Sequence, residues 1–425
     1  MTTSAKNPIA QAPSCKDDFD HRALSCEEAL KRILNDVASV DGFERVHIKS
    51  ALGRIMGEDV QARTNVPPHT NSAMDGYALR AQDLPAEGET SLQVVGTAWA
   101  GRPFCGNLNL GECLRIFTGA AMPKGTDTVI IQEHVQRDGD TIRLAGAFPA
   151  GQNVRAAGED IASGQTVLSA GRRLTPADLG LLASVGVGEV SVRRRPRVAY
   201  FSTGDELRSV GETLSEGAIY DSNRYTLRGV LSRLGVEILD LGVVRDTPEA
   251  IRAALGQAAR IADAVISSGG VSVGEADHVT DALGALGRVA FWKVAIKPGR
   301  PLAFGTVGGA VFFGLPGNPV SVMVTFYQFV QPALRRMMGE SDISPLTIKA
   351  RCASKLKKRP GRVEFQRGRL VRDERGDLLV YSTGSQGSGI LTSMSQANCF
   401  IVLPLEAGQV VPGTTVDVQP FSELV

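Results

Sequence analysis

Several things are scarce in this sequence, and each scarcity closes a door. Lysine and arginine together number 46 against 45 aspartates and glutamates, leaving a formal net charge of +1. No global basic excess points to nucleic acid, so any anion binding has to be local. No apolar run approaches the roughly 20 residues of a membrane-spanning helix. The N-terminus lacks the continuous apolar segment of a secretory signal. Six cysteines are scattered without CxxC spacing, which argues against a structural zinc site and for free thiols in a reducing compartment. None of the five histidines has metal-ligand spacing, and no Ser/His/Asp arrangement is evident. The expectation is a cytoplasmic protein with neither a membrane nor a nucleic-acid partner.

What is present is length and alternation. With 425 residues the chain is long enough for two to four domains. Residues 1–22 are polar and read as a disordered leader. Ser25 and Glu28 form a capping-box signal for a helix, and Thr175 with Pro176 marks another. Residues 64–157 carry short strand patterns separated by glycine turns and read as a β insert. The stretches 23–63 and 158–195 flank it. Residues 196–340 alternate strand and helix, the signature of parallel strands with crossover helices. Here Asp221 or Ser222 and then Thr247 are candidate helix caps. Residues 341–425 return to short strands and read as a β-barrel or sandwich.

Chemistry-bearing residues cluster after the strands of the α/β block. The apolar run Ala264–Ile266 ends in Ser267-Ser268-Gly269-Gly270, where glycines let backbone N–H groups approach an anion. Glu206, Asp246 and Asp277 each follow a strand, and Glu275 lies beside Asp277. Carboxylates from several strand ends are what magnesium takes alongside substrate phosphate and water. Lys293, Lys297 and Arg300 offer positive charge for a phosphate or oxyanion. Pro316-Gly317-Asn318-Pro319 leads into a helix whose first amides favour anions. Outside this block, Asp75 sits in an Asp-Gly turn and Thr118 in a small-residue loop. Ser388 lies in a Gly/Ser-rich loop whose ordinary reading is flexibility. Taken singly, each of these residues is more often structural than catalytic. Their weight comes from falling at the same end of the strands, where open α/β sheets bind ligands.

Eight segments occur in an order that resembles the molybdopterin molybdenumtransferases: SAMDGYAL (72–79), RIFTGAAMP (115–123), GEDI (158–161), STGDEL (202–207), IYDSN (219–223), SSGGVSVGEADHV (267–279), KVAIKPGRPLAFG (293–305) and GLPGNPVSVMVTF (314–326). The resemblance covers roughly residues 25 to 420. It implies an elongated homodimer of four-domain subunits. These are an extended dimerisation domain (23–63 with 158–195), the β insert (64–157), an α/β domain similar to molybdopterin adenylyltransferase (196–340) and a C-terminal β domain (341–425). It implies a cleft between the α/β domain of one subunit and the β insert of the other.

The resemblance also implies the reaction. Molybdate and adenylylated molybdopterin give molybdenum cofactor and AMP, with magnesium held by Glu206, Asp246 and Asp277. Asp75, Thr118, Lys293 and Lys297 join those three as catalytic residues. Ser268, Gly269, Gly270, Arg300, Pro316, Pro319, Arg367 and Ser388 are expected to contact substrate. Molybdopterin adenylyltransferase and proteins that accept the finished cofactor are the partners it implies. Two other functions fit the same motifs: adenylylation of molybdopterin, and a non-catalytic scaffold.

Overall fold

The computed structural model describes residues 23–85, 87–270 and 287–421. The leader 1–22, Glu275 and Asp277 lie outside the described residues. Residues up to Glu44 and from Arg193 onward form one compact unit, and Arg45–Val192 form a second.

The larger unit is built on a six-stranded sheet. Its strands are β1 (Arg197–Thr203), β2 (Glu237–Val244), β3 (Ala264–Ser268), β4 (Gly287–Lys293) and, after a two-residue strand β5 (Ile296–Lys297), β6 (Pro301–Val307) and β7 (Ala310–Leu315). The spatial order is β2-β1-β3-β7-β6-β4. β2, β1, β3 and β7 run parallel, and β6 and β4 extend the sheet as an antiparallel ribbon. β3 and β7 are buried along their whole lengths, as expected of parallel strands covered on both faces. The helix Pro248–Ile261 turns Ile251, Leu255 and Ala258 onto Ala199, Phe201, Val265 and Phe312 of the sheet.

The helix starts follow local chemistry. The side chains of Ser25, Asp221 and Thr247 accept the N–H of Glu28, Arg224 and Ala250, each cap stabilising its helix by about 1 kcal/mol. The helix after β7 runs from Pro319 to Met337 with five residues, Phe326–Val330, in π geometry. Pro332 has no N–H to donate back into that turn, so the helix widens just before it.

The chain from Ile348 closes a five-stranded barrel: β8 (Ile348–Cys352), β9 (Val363–Arg372), β10 (Leu378–Ser382), β11 (Cys399–Leu403) and β12 (Thr415–Pro420). The order β9-β10-β8-β12-β11 returns to β9. Closure removes the exposed edges of the sheet. Cys352, Val380, Cys399, Ile401 and Val418 fill it. β5 leaves the α/β block to pair parallel with β9, setting Lys297 opposite Glu364.

The second unit holds its own six-stranded sheet, in the order 128–131, 76–79, 112–116, 89–98, 141–145, 136–138. A two-stranded ribbon joins Val60–Gln61 to Thr166–Leu168, so the segments before and after the β insert are paired. Thr175 and Asp178 form a reciprocal capping box.

The described cysteines are free. Burial pushes the thiols of Cys113 and Cys399 up to about 12, a setting for inert core residues. No helix among the described residues is long and apolar enough to cross a membrane.

Candidate active site

In the sheet of the larger unit, β1 leads away to β2 on one side while β3 leads towards β7 on the other. Their loops diverge at the carboxyl ends of β1 and β3 and leave a crevice there. That crevice is part of a cavity of about 670 Å³, within the range of roughly 300–1,000 Å³ usual for small-molecule sites. Every strand end of the parallel set contributes: Thr203, Gly204 and Glu206 after β1, Asp246 after β2, Ser268–Gly270 after β3, and Pro316–Pro319 after β7. Lys297 and Arg300 enter from the loop before β6, and Arg362, Gln386, Gly387 and Ser388 from the barrel. The loops after the parallel strands thus bring the carboxylates, and the loop before β6 and the barrel bring the basic side chains, to one cavity.

The cradle is backbone-determined. Gly269 has φ +91°, and a Cβ there would lie 2.3 Å from the carbonyl oxygen of Thr203. Only glycine lets the loops after β1 and β3 come this close. Asn223, in the first turn of the helix Ser222–Leu234, ties two of these loops together. Its Nδ2 donates to Ser268 Oγ at 2.9 Å and to the Gly317 carbonyl at 2.7 Å. The sequence carried a signal for Asn223, since it ends the IYDSN segment, but nothing local showed which groups it joins.

Asp246 is half-buried, and its Oδ1 accepts from the Thr203 hydroxyl at 3.1 Å. Glu206 is exposed, its carboxylate folded back over Gly204. No group of three or more potential metal ligands occurs among the described residues. Among the described residues, the carboxylates that line the cavity are Glu206, Asp221 and Asp246; Asp221 caps its helix through Oδ1, while its Oδ2 is buried without a hydrogen-bond partner among the described residues. Glu206 and Asp246 fit magnesium, a hard cation that takes a few carboxylates and completes its shell with substrate phosphate and water.

The sequence-predicted residues divide as follows. Glu206, Asp246, Ser268, Gly269, Gly270, Lys297, Arg300, Pro316, Pro319 and Ser388 come together around this one cavity. Asp277 lies outside the described residues. Lys293 is exposed and outside the cavity lining, at the last residue of β4. The helix starting at Pro319 does not present its first amides freely. Pro319 has none, and the N–H of Val320 donates to the Ser388 carbonyl at 3.0 Å.

Arg367 also lies outside the lining, and it is only 1% exposed. Its guanidinium works from beneath the Gly/Ser loop. Nη2 donates to the Gly387 carbonyl at 2.9 Å and the Ser385 carbonyl at 3.4 Å, and Nε donates to Ser393 Oγ at 2.9 Å. Burial lowers its pKa to about 10, which still leaves it charged at neutral pH. Arg367 therefore shapes the loop that carries Ser388. Arg367→Met should strand those carbonyls and destabilise the fold by roughly 3 kcal/mol. Faster amide exchange confined to residues 384–389 would show the loop released; exchange unchanged from wild type would contradict this role.

Asp75 and Thr118 belong to the second unit, where they meet each other. Asp75 Oδ1 accepts from the Thr118 N–H at 2.8 Å and the Thr118 hydroxyl at 2.7 Å. The Thr118 backbone N–H, then its hydroxyl, hold the Asp75 carboxyl below its ordinary range, with Arg115 adding to the effect. The turn is buttressed by a stack. Trp99 lies on Phe117 with ring centroids 4.0 Å apart, and the Arg115 guanidinium sits over Phe117 and Tyr77.

Comparison with known proteins places the chain in a class. The family profile described as "MoeA N-terminal region (domain I and II)" matches residues 24–186, "Probable molybdopterin binding domain" matches 199–336, and "MoeA C-terminal region (domain IV)" matches 349–421. The chain is 44% identical to the molybdopterin molybdenumtransferase of Haemophilus influenzae, across 95% of this chain and 100% of the relative. It is 37% identical to the protein of that name from a Nostoc species, across 90% of each. A crystal structure of a molybdopterin biosynthesis moeA protein from Pyrococcus horikoshii superposes with a TM-score of 0.82 at 30% identity, covering 94% of this chain and 100% of that one. The chain belongs to the molybdopterin molybdenumtransferase family.

Proposed function

We propose that the cavity at the ends of β1, β2, β3 and β7 binds adenylylated molybdopterin and molybdate, and that the enzyme transfers molybdenum to the dithiolene of the substrate with release of AMP. The observation that carries this reading is the convergence of Glu206 and Asp246 with Lys297, Arg300 and Ser388 on one cavity. The chain around that cavity is similar over nearly its whole length to enzymes named for this transfer.

The roles follow from charge and position. Gly269 and Gly270 let backbone approach the phosphates. Lys297, Arg300 and Arg362 offset the repulsion between two bound anions, molybdate and the adenylate, and hold them close enough to react. Glu206 and Asp246 are the residues that would hold magnesium. When bound, the ion supplies charge neutralisation at the phosphoanhydride. The dithiolene belongs to the substrate, so none of the buried cysteines has to ligate molybdenum. Chelation with EDTA should abolish AMP release while adenylate binding persists, and magnesium should restore it. Turnover unaffected by chelation would remove the metal from the reaction.

Asp75 and Thr118 are bonded to each other in the second unit, with Arg115 acting on Asp75. We infer that the protein works as a homodimer in which the partner's Asp75 and the partner's Thr118 complete the site, as the family resemblance implies. Mixing Asp75→Ala and Asp246→Ala subunits tests this. Each variant alone should be inactive, and subunit exchange should restore about a quarter of wild-type turnover, because half of the dimers then hold one intact site. No recovery on mixing would place both residues in the same subunit's site.

A further inference from the structure

We propose that Glu364 is a positioning residue for Lys297, fixing the ammonium at the cavity wall before an anion arrives. This rests on the role given above to Lys297. The geometry starts from register: β5 and β9 pair so that Lys297 stands directly opposite Glu364. Lys297 Nζ lies 3.0 Å from Glu364 Oε1. The Lys297 side chain is 45% exposed and lines the cavity, whereas that of Glu364 is 4% exposed. The other carboxylate oxygen is held too, since Gln366 Nε2 donates to Glu364 Oε2 at 2.9 Å. Gln366 is itself anchored on the Lys357 carbonyl at 2.9 Å. A buried carboxylate fixed at both oxygens therefore grips one end of an otherwise mobile side chain.

Two effects oppose each other here. The negative charge of Glu364 weakens the attraction of Lys297 for an anion. Against this, an unheld lysine has many rotamers and loses that freedom on binding. An ammonium has three donors, so the bond to Glu364 leaves donors for a ligand. Further cations stand nearby: Lys358 is buried beside the pair, with Nζ 2.9 Å from the Arg359 carbonyl, and Arg362 lines the cavity, with Glu406 a second carboxylate acting on Lys358. Burial pushes the Lys358 ammonium's pKa down, Glu364 pushes it back up, and Lys297 pushes it down again. With Lys297, Lys358 and Arg362 together, Glu364 does not cancel the attraction for anions. Its larger effect is to place Lys297.

The test is Glu364→Gln in the full-length enzyme, with kcat and the molybdate KM measured per folded molecule and thermal unfolding recorded alongside. Loss of the charge leaves shape and local positive potential in place, so the molybdate KM should not rise. kcat should fall about tenfold or more, as expected when a reacting geometry is loosened. Glu364→Asp, which keeps the charge on a shorter reach, should recover part of that loss. Wild-type kcat and KM in Glu364→Gln, with only a lowered unfolding midpoint, would show a merely structural ion pair and overturn the proposal. If Glu364→Gln does not fold, Glu364→Asp decides alone: reduced kcat at unchanged molybdate KM supports positioning, and wild-type values overturn it. Lys297→Met separates the two levels of the argument. Full turnover there removes Lys297 from the reaction and this inference with it. Lost turnover in Lys297→Met beside normal turnover in Glu364→Gln overturns the positioning role alone.

Discussion

Asp246→Ala should lower AMP release by about 10²–10³-fold, the scale seen when one charge-stabilising group is taken from a transition state. Glu206→Ala should do the same. The two carboxylates follow adjacent strands and line the same cavity. Neither is built into the core. Asp246 accepts a hydrogen bond from the Thr203 hydroxyl and is half-buried, and Glu206 is exposed. Stability should therefore stay within about 0.5 kcal/mol of wild type, and the loss should appear in kcat with a nearly unchanged unfolding midpoint. A single carboxylate plus water can still hold magnesium weakly, so raised magnesium should recover part of the activity of either single variant and none in the double variant. Turnover at the wild-type rate in Asp246→Ala would take that residue out of the mechanism.

The second large effect is expected at Gly269. An added Cβ meets a backbone carbonyl at 2.3 Å, which no side-chain rotation relieves, and the φ of +91° is strained for any other residue. Gly269→Ala should cost roughly 2–4 kcal/mol and force the loops after β1 and β3 apart. Adenylate binding should be lost even in the fraction that folds, as read by equilibrium binding and thermal unfolding. Gly235 is the control. It caps the helix Ser222–Leu234 at φ +84° with nothing within 4 Å of its added Cβ. Gly235→Ala should cost only about 1 kcal/mol and leave binding unchanged. Equal effects at the two glycines would mean that the close approach of the loops is not what matters at Gly269.

Helix starts were legible because their signals are local. Ser25, Thr175 and Thr247 each cap with a backbone N–H three residues on. The buried run at Ala264–Ile266 and the glycines after it were legible for the same reason. Contacts made across the chain were not. The bond from Lys297 to Glu364 spans 67 residues, and Asn223 reaches 45 residues to Ser268 and 94 to Gly317. No spacing rule encodes such partners. Lys293 and Lys297 look equivalent in sequence, four residues apart in one basic segment. They separate only because β4 ends at the first and β5 delivers the second to the barrel. Arg367 illustrates another limit. An arginine that meets a ligand and one that holds loop carbonyls carry the same letter, and burial alone tells them apart.

The central claim is that this cavity couples molybdate to cleavage of the adenylate. The most direct test is AMP release from adenylylated molybdopterin by the purified protein with magnesium, measured with and without molybdate. The account predicts AMP release that depends on molybdate and yields active cofactor. Tight adenylate binding with no AMP release under either condition, or adenylate formation from ATP in place of its cleavage, would contradict it.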